Sequence, residues 1–266
     1  MITATSFPMN PNTEEFLYFL LWTTDTLMRP TWRNVNDSFE QWTWRSGLGR
    51  RMQELARRQL IETEEKGSAA ALARVVRLTE RGRLIALGGR DAGERWRRSW
   101  DGLWRLVMFD LPTSQRRLRM QLWRLLKDLH LGYLQNSVWI SPDPVVEIKE
   151  TLRAIPSAAD VLLCLEGRPS AGEPDGDIVA AAWNFAEINR RYGRCLEILD
   201  EGPPTLGSKL AEWARRERTA WKHVMQIDPL LPLALHPSGY LGPEAWTRRK
   251  AVFVRLLRES GGGARA

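Results

Sequence analysis

The chain has 266 residues, 43% of them apolar, which exceeds the roughly 100–200 residues of a usual domain and suffices for more than one core. Its 39 Lys and Arg against 32 Asp and Glu give a formal charge of +7, favouring a polyanionic partner or an anionic surface. Cys164 and Cys195 suggest no disulfide framework, His130, His223 and His236 have no zinc-ligand spacing, and neither a signal peptide nor a membrane span is recognisable. The expectation is a soluble cytoplasmic protein without structural metal.

Glu14 to Met28 carries Phe16, Leu17, Phe19, Leu20, Leu21 and Leu27 at helical spacing, and Arg29-Pro30 ends the pattern. A short second helix is expected around Phe39-Glu40-Gln41-Trp42, after the capping side chains Asn36, Asp37 and Ser38. Ser46 precedes a third, Gly47 to Gln59, with Leu48, Met52 and Leu55 on its buried side and Arg50, Arg51, Gln53, Glu54, Arg57 and Arg58 opposite.

Leu60-Ile61-Glu62 and Val75-Val76-Arg77-Leu78-Thr79 are extended in character, and the polar stretch between them makes the pair a wing. Thr79-Glu80-Arg81-Gly82 leads into a further helix, Arg83 to Leu87, stopped by Gly88-Gly89. This order is that of a winged helix-turn-helix, whose third helix enters the major groove while the wing lies along the backbone. The expected DNA-binding residues are Arg50, Arg51, Gln53 and Arg57 on that helix, with Arg45 before it and Lys66 and Arg74 beside the wing loop. Arg and Gln side chains read base edges bidentately or hold phosphates. The competing reading of the helix is a solvated basic surface.

Residues 91 to 103 form a charged connector, with Trp96 and Trp100 four apart on one expected helical face. Trp104 to Phe109 follows as a buried strand. Ser114 caps a helix running to His130, with an apolar stripe of Leu118, Leu122, Leu125, Leu126 and Leu129 and with Arg116, Arg117, Arg119 and Arg124 outside it. A hairpin, 132–134 and 138–141, a helix 145–154 and a strand 160–166 complete the ferredoxin-like order.

After a Pro, Gly and Ser stretch from Arg168 to Gly176, helices are expected at Asp177 to Leu199, Leu206 to Met225 and Pro243 to Glu259, with a disordered tail from Gly261. The whole predicts an α+β protein: a winged helix-turn-helix DNA-binding domain over 1–90, a connector and ferredoxin-like domain over 91–170, and a helical regulatory and dimerisation domain over 171–266.

Neither cysteine has a nearby histidine, and no Gly-x-Ser-x-Gly or Walker A motif occurs, so no hydrolytic or nucleotide-cleaving site is expected. Both cysteines read as core residues. The middle-helix arginines could pair with coenzyme A phosphates, or be solvated or salt-bridged. Trp183, Trp213 and Trp221 could line an aryl pocket or simply fill a core.

Arg98-Ser-Trp-Asp-Gly-Leu-Trp-Arg-Leu-Val-Met-Phe-Asp110-Leu-Pro, Arg116-Arg-Leu-Arg119, Ser137-Val-Trp-Ile-Ser-Pro142 and Asp228-Pro-Leu-Leu-Pro with Leu235 and Pro237 resemble the PaaX family, repressors of phenylacetic acid catabolism. The resemblance spans nearly the whole chain. It implies a dimeric, non-enzymatic repressor that binds a palindromic double-stranded operator and is released by an aryl-CoA thioester such as phenylacetyl-CoA. It names no effector-contacting residue and no cofactor.

The middle segment also resembles the small CRISPR-associated ferredoxin-fold subunit, which carries a carboxylate at the end of its first strand. The position corresponds to Asp110, followed by Gln135-Asn136-Ser137-Val138-Trp139. This leaves an alternative, a metal-dependent nuclease with Asp110 of two subunits sharing a cation, against a turn-capping Asp110 or one paired with Arg116 or Arg117.

Overall fold

The computed structural model describes Thr13, Leu17 and residues 48–66, 73–145, 162–204 and 208–262. Most of the expected first helix, the whole second helix, the wing loop, and all but Val145 of the 145–154 helix lie outside the described residues. The chain forms two compact units. One comprises Met1–Thr3, Ala92–Arg190 and Gln226–Leu241, the other Ala4–Asp91, Arg191–Met225 and Gly242–Ala266. The units interleave along the chain, whereas the residue patterns alone cut it into consecutive segments.

In the second unit, α1 (Leu48–Arg57) is followed by the antiparallel strands β1 (Ile61–Lys66) and β2 (Ala73–Leu78) and by α2 (Glu80–Ala86). The helix α2 starts at Glu80 rather than at Arg83, because the Thr79 hydroxyl accepts from the Gly82 N–H at 3.0 Å and caps it. That hydroxyl also donates to the Gln59 carbonyl at 2.7 Å, while the Thr79 N–H donates to Leu60 O at 3.1 Å. Thr79 thus joins the base of the hairpin to the next helix.

Gly82 lies so close to that junction that a Cβ built on it would stand 1.9 Å from Leu60 O. Backbone cannot yield as a side-chain tip can. Gly82→Ala is therefore expected to lower stability by about 1–3 kcal/mol or more, read as an earlier midpoint in urea unfolding. An unchanged midpoint would mean that α2 does not approach Leu60 this closely.

The core of this unit gathers Leu17, Leu55, Leu60, Ile61 and Leu87 with Ile198, Leu199, Trp213 and Phe253 from distant sequence. These come from α6 (Phe185–Glu201), α7 (Ser208–Met225) and α8 (Gly242–Gly262). Indole donors are satisfied on backbone carbonyls, Trp213 on Ile198 O at 2.9 Å and Trp221 on Leu87 O at 3.1 Å. The helix α8 runs through Gly262, so the tail expected to be disordered from Gly261 begins later, and residues 263–266 lie outside the described residues.

Between α7 and α8, Arg249 and Glu217 are both fully buried. The Arg249 Nε donates to Glu217 Oε1 at 2.6 Å, and the guanidinium stacks 4.3 Å from the Trp221 ring centroid. Burial pushes the Glu217 carboxyl above its ordinary range, and the Arg249 charge opposes the rise.

The first unit is built on a four-stranded antiparallel sheet of order β4-β5-β3-β6, from β3 (Trp104–Phe109), β4 (Gly132–Gln135), β5 (Val138–Ser141) and β6 (Leu162–Gly167). This is how the expected ferredoxin-like element order closes, with the first and third strands adjacent at the centre. On one face α4 (Arg116–Asp128) packs Leu122 and Leu126 against Val107, Phe109 and Trp139. The other face places Trp104 and Ile140 against Val179 and Ala182 of α5 (Asp175–Ala182), with Trp183, Leu231 and Leu235.

Ser114 does not cap α4: it lies within a 3-10 turn, Thr113–Gln115, and the helix starts at Arg116 without a side-chain cap. Two further expected helices are corrected. The connector helix α3 (Ala92–Arg97) stops before Trp100, so Trp96 and Trp100 do not share a helical face. Trp96 instead donates to the Tyr240 hydroxyl at 3.0 Å, while Trp100 lies 5.4 Å from Trp104. The single helix expected from Asp177 to Leu199 is broken at Trp183, whose backbone is extended (φ −132°, ψ 141°). The Trp183 indole donates to His130 O at 3.2 Å, and the Asn184 carboxamide accepts from the Glu187 N–H at 3.0 Å to restart the helix.

The proline-stiffened run Asp228-Pro229-Leu230-Leu231-Pro232 is a hydrogen-bonded hub of this unit. Asp228 accepts from the Leu230 N–H at 2.8 Å and from the Tyr240 hydroxyl at 2.6 Å. Arg98 reaches the Leu230 carbonyl and grips Asp143, with Nε to Oδ1 at 2.6 Å, beside Arg95. Burial alone would raise the Asp143 carboxyl, but these two guanidinium groups outweigh it and hold it below the usual carboxylate range.

Candidate nucleic-acid interface

The helix α1 buries Leu55 completely and half-buries Met52, which fixes its rotation. Opposite Leu55 the helix exposes Gln53 and Arg57. Glu54 and Arg58 are half-buried between that stripe and the buried side. Those two form an i, i+4 ion pair at 3.0 Å, and Glu54 also accepts from the Thr13 hydroxyl at 2.8 Å. The acidic residue of the helix is thereby occupied away from Gln53 and Arg57.

Register places the two bases expected beside the wing loop in adjacent positions of the ladder: Lys66 pairs with Ala73 and Arg74 with Glu65. Glu62, Glu64 and Glu65 offset Lys66, Arg74 and Arg77, leaving the described hairpin without net charge. The positive charge resides on α1. Arg45 lies outside the described residues.

The remaining candidate residues meet different fates. Trp183, Trp213 and Trp221 are buried and fill cores. Cys195 is likewise buried, its thiol pushed up to about 12 chiefly by that burial, while Cys164 is half-buried and packs against the core on the α4 side of the sheet. Asp110 is exposed just past β3 and, among the described residues, pairs with neither Arg116 nor Arg117. Among the described residues no three His, Cys, Asp or Glu side chains gather into a metal site. Nor is any described helix long and apolar enough to cross a membrane.

The interactions invisible in sequence are those that lock Arg95, Arg98 and Asp143 together and bury Glu217 with Arg249. Their partners are 32 to 48 residues apart, and only the paired signs of charge in otherwise apolar surroundings hint at them.

A comparison with curated proteins returns no match. Among solved structures, the chain is similar to the uncharacterized protein Rv0674 from Mycobacterium tuberculosis, with a TM-score of 0.56 and 17% identity over 93% of this chain and 96% of that one. At such identity the likeness shows a common fold. Residues 97–179, which contain the four-stranded sheet, match the family model described as the PaaX protein central Cas2-like domain. That match, over the central domain, supports a PaaX family protein.

Proposed function

We propose that the chain is a PaaX-type transcriptional regulator, a non-enzymatic cytoplasmic protein that binds double-stranded operator DNA through a winged helix. The observation that carries the reading is the pair Gln53 and Arg57, exposed on α1 opposite a buried Leu55 and followed by an antiparallel hairpin. Arg and Gln at one helical spacing match the donor and acceptor pattern of major-groove base edges. The neutral hairpin makes α1, with Arg45 ahead of it, the source of phosphate attraction in this region.

On this reading two chains form a homodimer and place two such helices on a palindromic site, a helical turn or a multiple of it apart. An acyl-CoA, an aryl thioester such as phenylacetyl-CoA by family resemblance, binds away from α1 and releases the DNA by changing that spacing. Support for the dimer and the effector comes from the resemblance alone.

Selection of genomic fragments on the purified chain supplies the operator. In a mobility-shift titration at fixed salt, Arg50→Ala and Arg57→Ala are each expected to weaken binding about 5- to 150-fold, the worth of about 1–3 kcal/mol for a bidentate base contact. Arg51→Ala is titrated beside them. Equal affinities for all three variants and the parent would remove α1 as the reading helix. A thermal shift with aryl-CoA esters tests the effector, and no shift with any of them leaves a regulator without a small-molecule signal.

A further inference from the structure

The surface arginines of this protein fall into two groups. On α6, α7 and α8 several are neutralised by neighbouring carboxylates: Arg190 by Glu187 at 2.7 Å, Arg194 by Glu197 at 2.8 Å, Arg216 by Glu201, and Arg248 by Asp200 at 2.8 Å. The helix α4 of the central domain is different. Its 13 residues hold five basic side chains and a single acidic one, Asp128 at the C-terminal end.

Arg119 is drawn aside to the Leu111 carbonyl. The remaining four, Arg116, Arg117, Arg124 and Lys127, are all exposed. With Met120 and Gln121 they occupy one side of the helix, since Leu122 and Leu126 turn the opposite side into the core. Arg116, Arg117 and Arg124 make no ion pair with any described residue, and Lys127 lies 4.9 Å from the Trp123 ring centroid.

From Arg116 to Lys127 the row is about 16 Å long at 1.5 Å per residue, the length of roughly five base-pair steps of 3.4 Å. A row of guanidinium groups with no ion-pair partner among the described residues, on a convex helix, matches an extended polyanion. A compact ligand with clustered phosphates needs a concave site instead.

We propose that the exposed basic face of α4, Arg116, Arg117, Arg124 and Lys127, is a second nucleic-acid contact, which holds the phosphate backbone of duplex DNA without reading its sequence. The proposal deepens the DNA-binding reading given above: α1 supplies selectivity, and α4 supplies a share of the sequence-independent affinity.

The test uses the full chain and a 30-base-pair duplex of arbitrary sequence, with binding followed by fluorescence anisotropy from 50 to 200 mM salt. Each lost phosphate contact reduces the slope of log affinity against log salt by about 0.9. The triple variant Arg116→Gln, Arg117→Gln, Arg124→Gln is expected to lose about 2–3 of that slope, and the matching Arg→Lys triple to keep it.

A control triple, Arg190→Gln, Arg194→Gln, Arg216→Gln, removes the same charge from paired positions and is expected to leave the slope near that of the parent. An unchanged slope in the α4 glutamine triple, or an equal loss in the control, overturns the proposal. So does a triple that keeps its DNA slope but loses a thermal shift by coenzyme A, which assigns the row to a compact ligand. The pair Arg50→Ala, Arg57→Ala separates the two readings: slope lost in the α4 triple but affinity kept in the α1 pair upholds the proposal and removes the winged-helix assignment.

Discussion

Replacing Arg249 by methionine is expected to lower the unfolding free energy by about 3–5 kcal/mol at neutral pH, the cost of leaving a buried charge without its partner. Methionine keeps much of the volume beside Trp221, so the loss reports charge rather than a cavity. Glu217 has no exposed surface to turn towards. It must either stay ionised in an apolar core or take up a proton.

The second course gives the prediction a sign with pH. Burial already pushes the Glu217 carboxyl up, and without the guanidinium it rises further. A carboxyl raised in the folded state contributes least above its folded pKa and most below its unfolded value near 4.3. The defect of Arg249→Met should therefore shrink as pH falls from 8 towards 4 in urea unfolding. Adding Glu217→Leu should recover most of the loss at all pH values, because a well-packed apolar pair often equals a buried ion pair. A single variant as stable as the parent, or a double variant no better than the single, would show that the pair is not what holds α7 to α8.

Trp104→Ala is expected to be as damaging to the first unit, about 3–5 kcal/mol for a buried tryptophan. Trp104 is 2% exposed, donates through Nε1 to Asp175 Oδ1 at 2.7 Å, and lies between the Trp100 and Trp183 rings. It links the central strand β3 to the start of α5. Hydrogen exchange should show protection lost first in β3 and α5, and Trp104→Phe should cost only about 1–3 kcal/mol, for the Asp175 acceptor left without its donor. Loss of protection confined to α4, on the other face of the sheet, would contradict this placement.

The legible parts of the chain are those whose residues carry their own period. Trp104 to Phe109 alternates between two buried faces, and α4 shows its leucine stripe, so the sheet and its helix stand out from sequence alone. Asn136, with φ 44°, marks the turn between β4 and β5 by its tolerance of left-handed backbone. In contrast, the helical pattern through Trp183 continues without a local breaker. It stops because a distant carbonyl, His130 O, captures the indole, and because Gly132 leaves room where a Cβ would stand 2.8 Å from that ring.

The same reason hides the separate fates of Trp96 and Trp100, whose spacing is helical but whose partners, Tyr240 and Trp104, decide the backbone. For the candidate interface, residue types on α1 are readable directly. That Gln53 and Arg57 face away from the core needs the burial of Leu55, and the hairpin register is needed to pair Lys66 with Ala73 and Arg74 with Glu65.

The mixed ancestry of the second core bears on how the protein is made. Leu17 and Leu55 are synthesised early, yet they share that core with Ile198, Trp213 and Phe253. At about 5–20 residues per second, the ribosome needs on the order of ten to forty seconds to deliver Phe253 after Leu55. Until then α1 and the hairpin lack half of their packing, and the long loop to be closed makes the late step slow. The emerging chain thus completes the packing around α1 only after Phe253 has been made, and a product interrupted before that has the residues of α1 without the support that holds them in place.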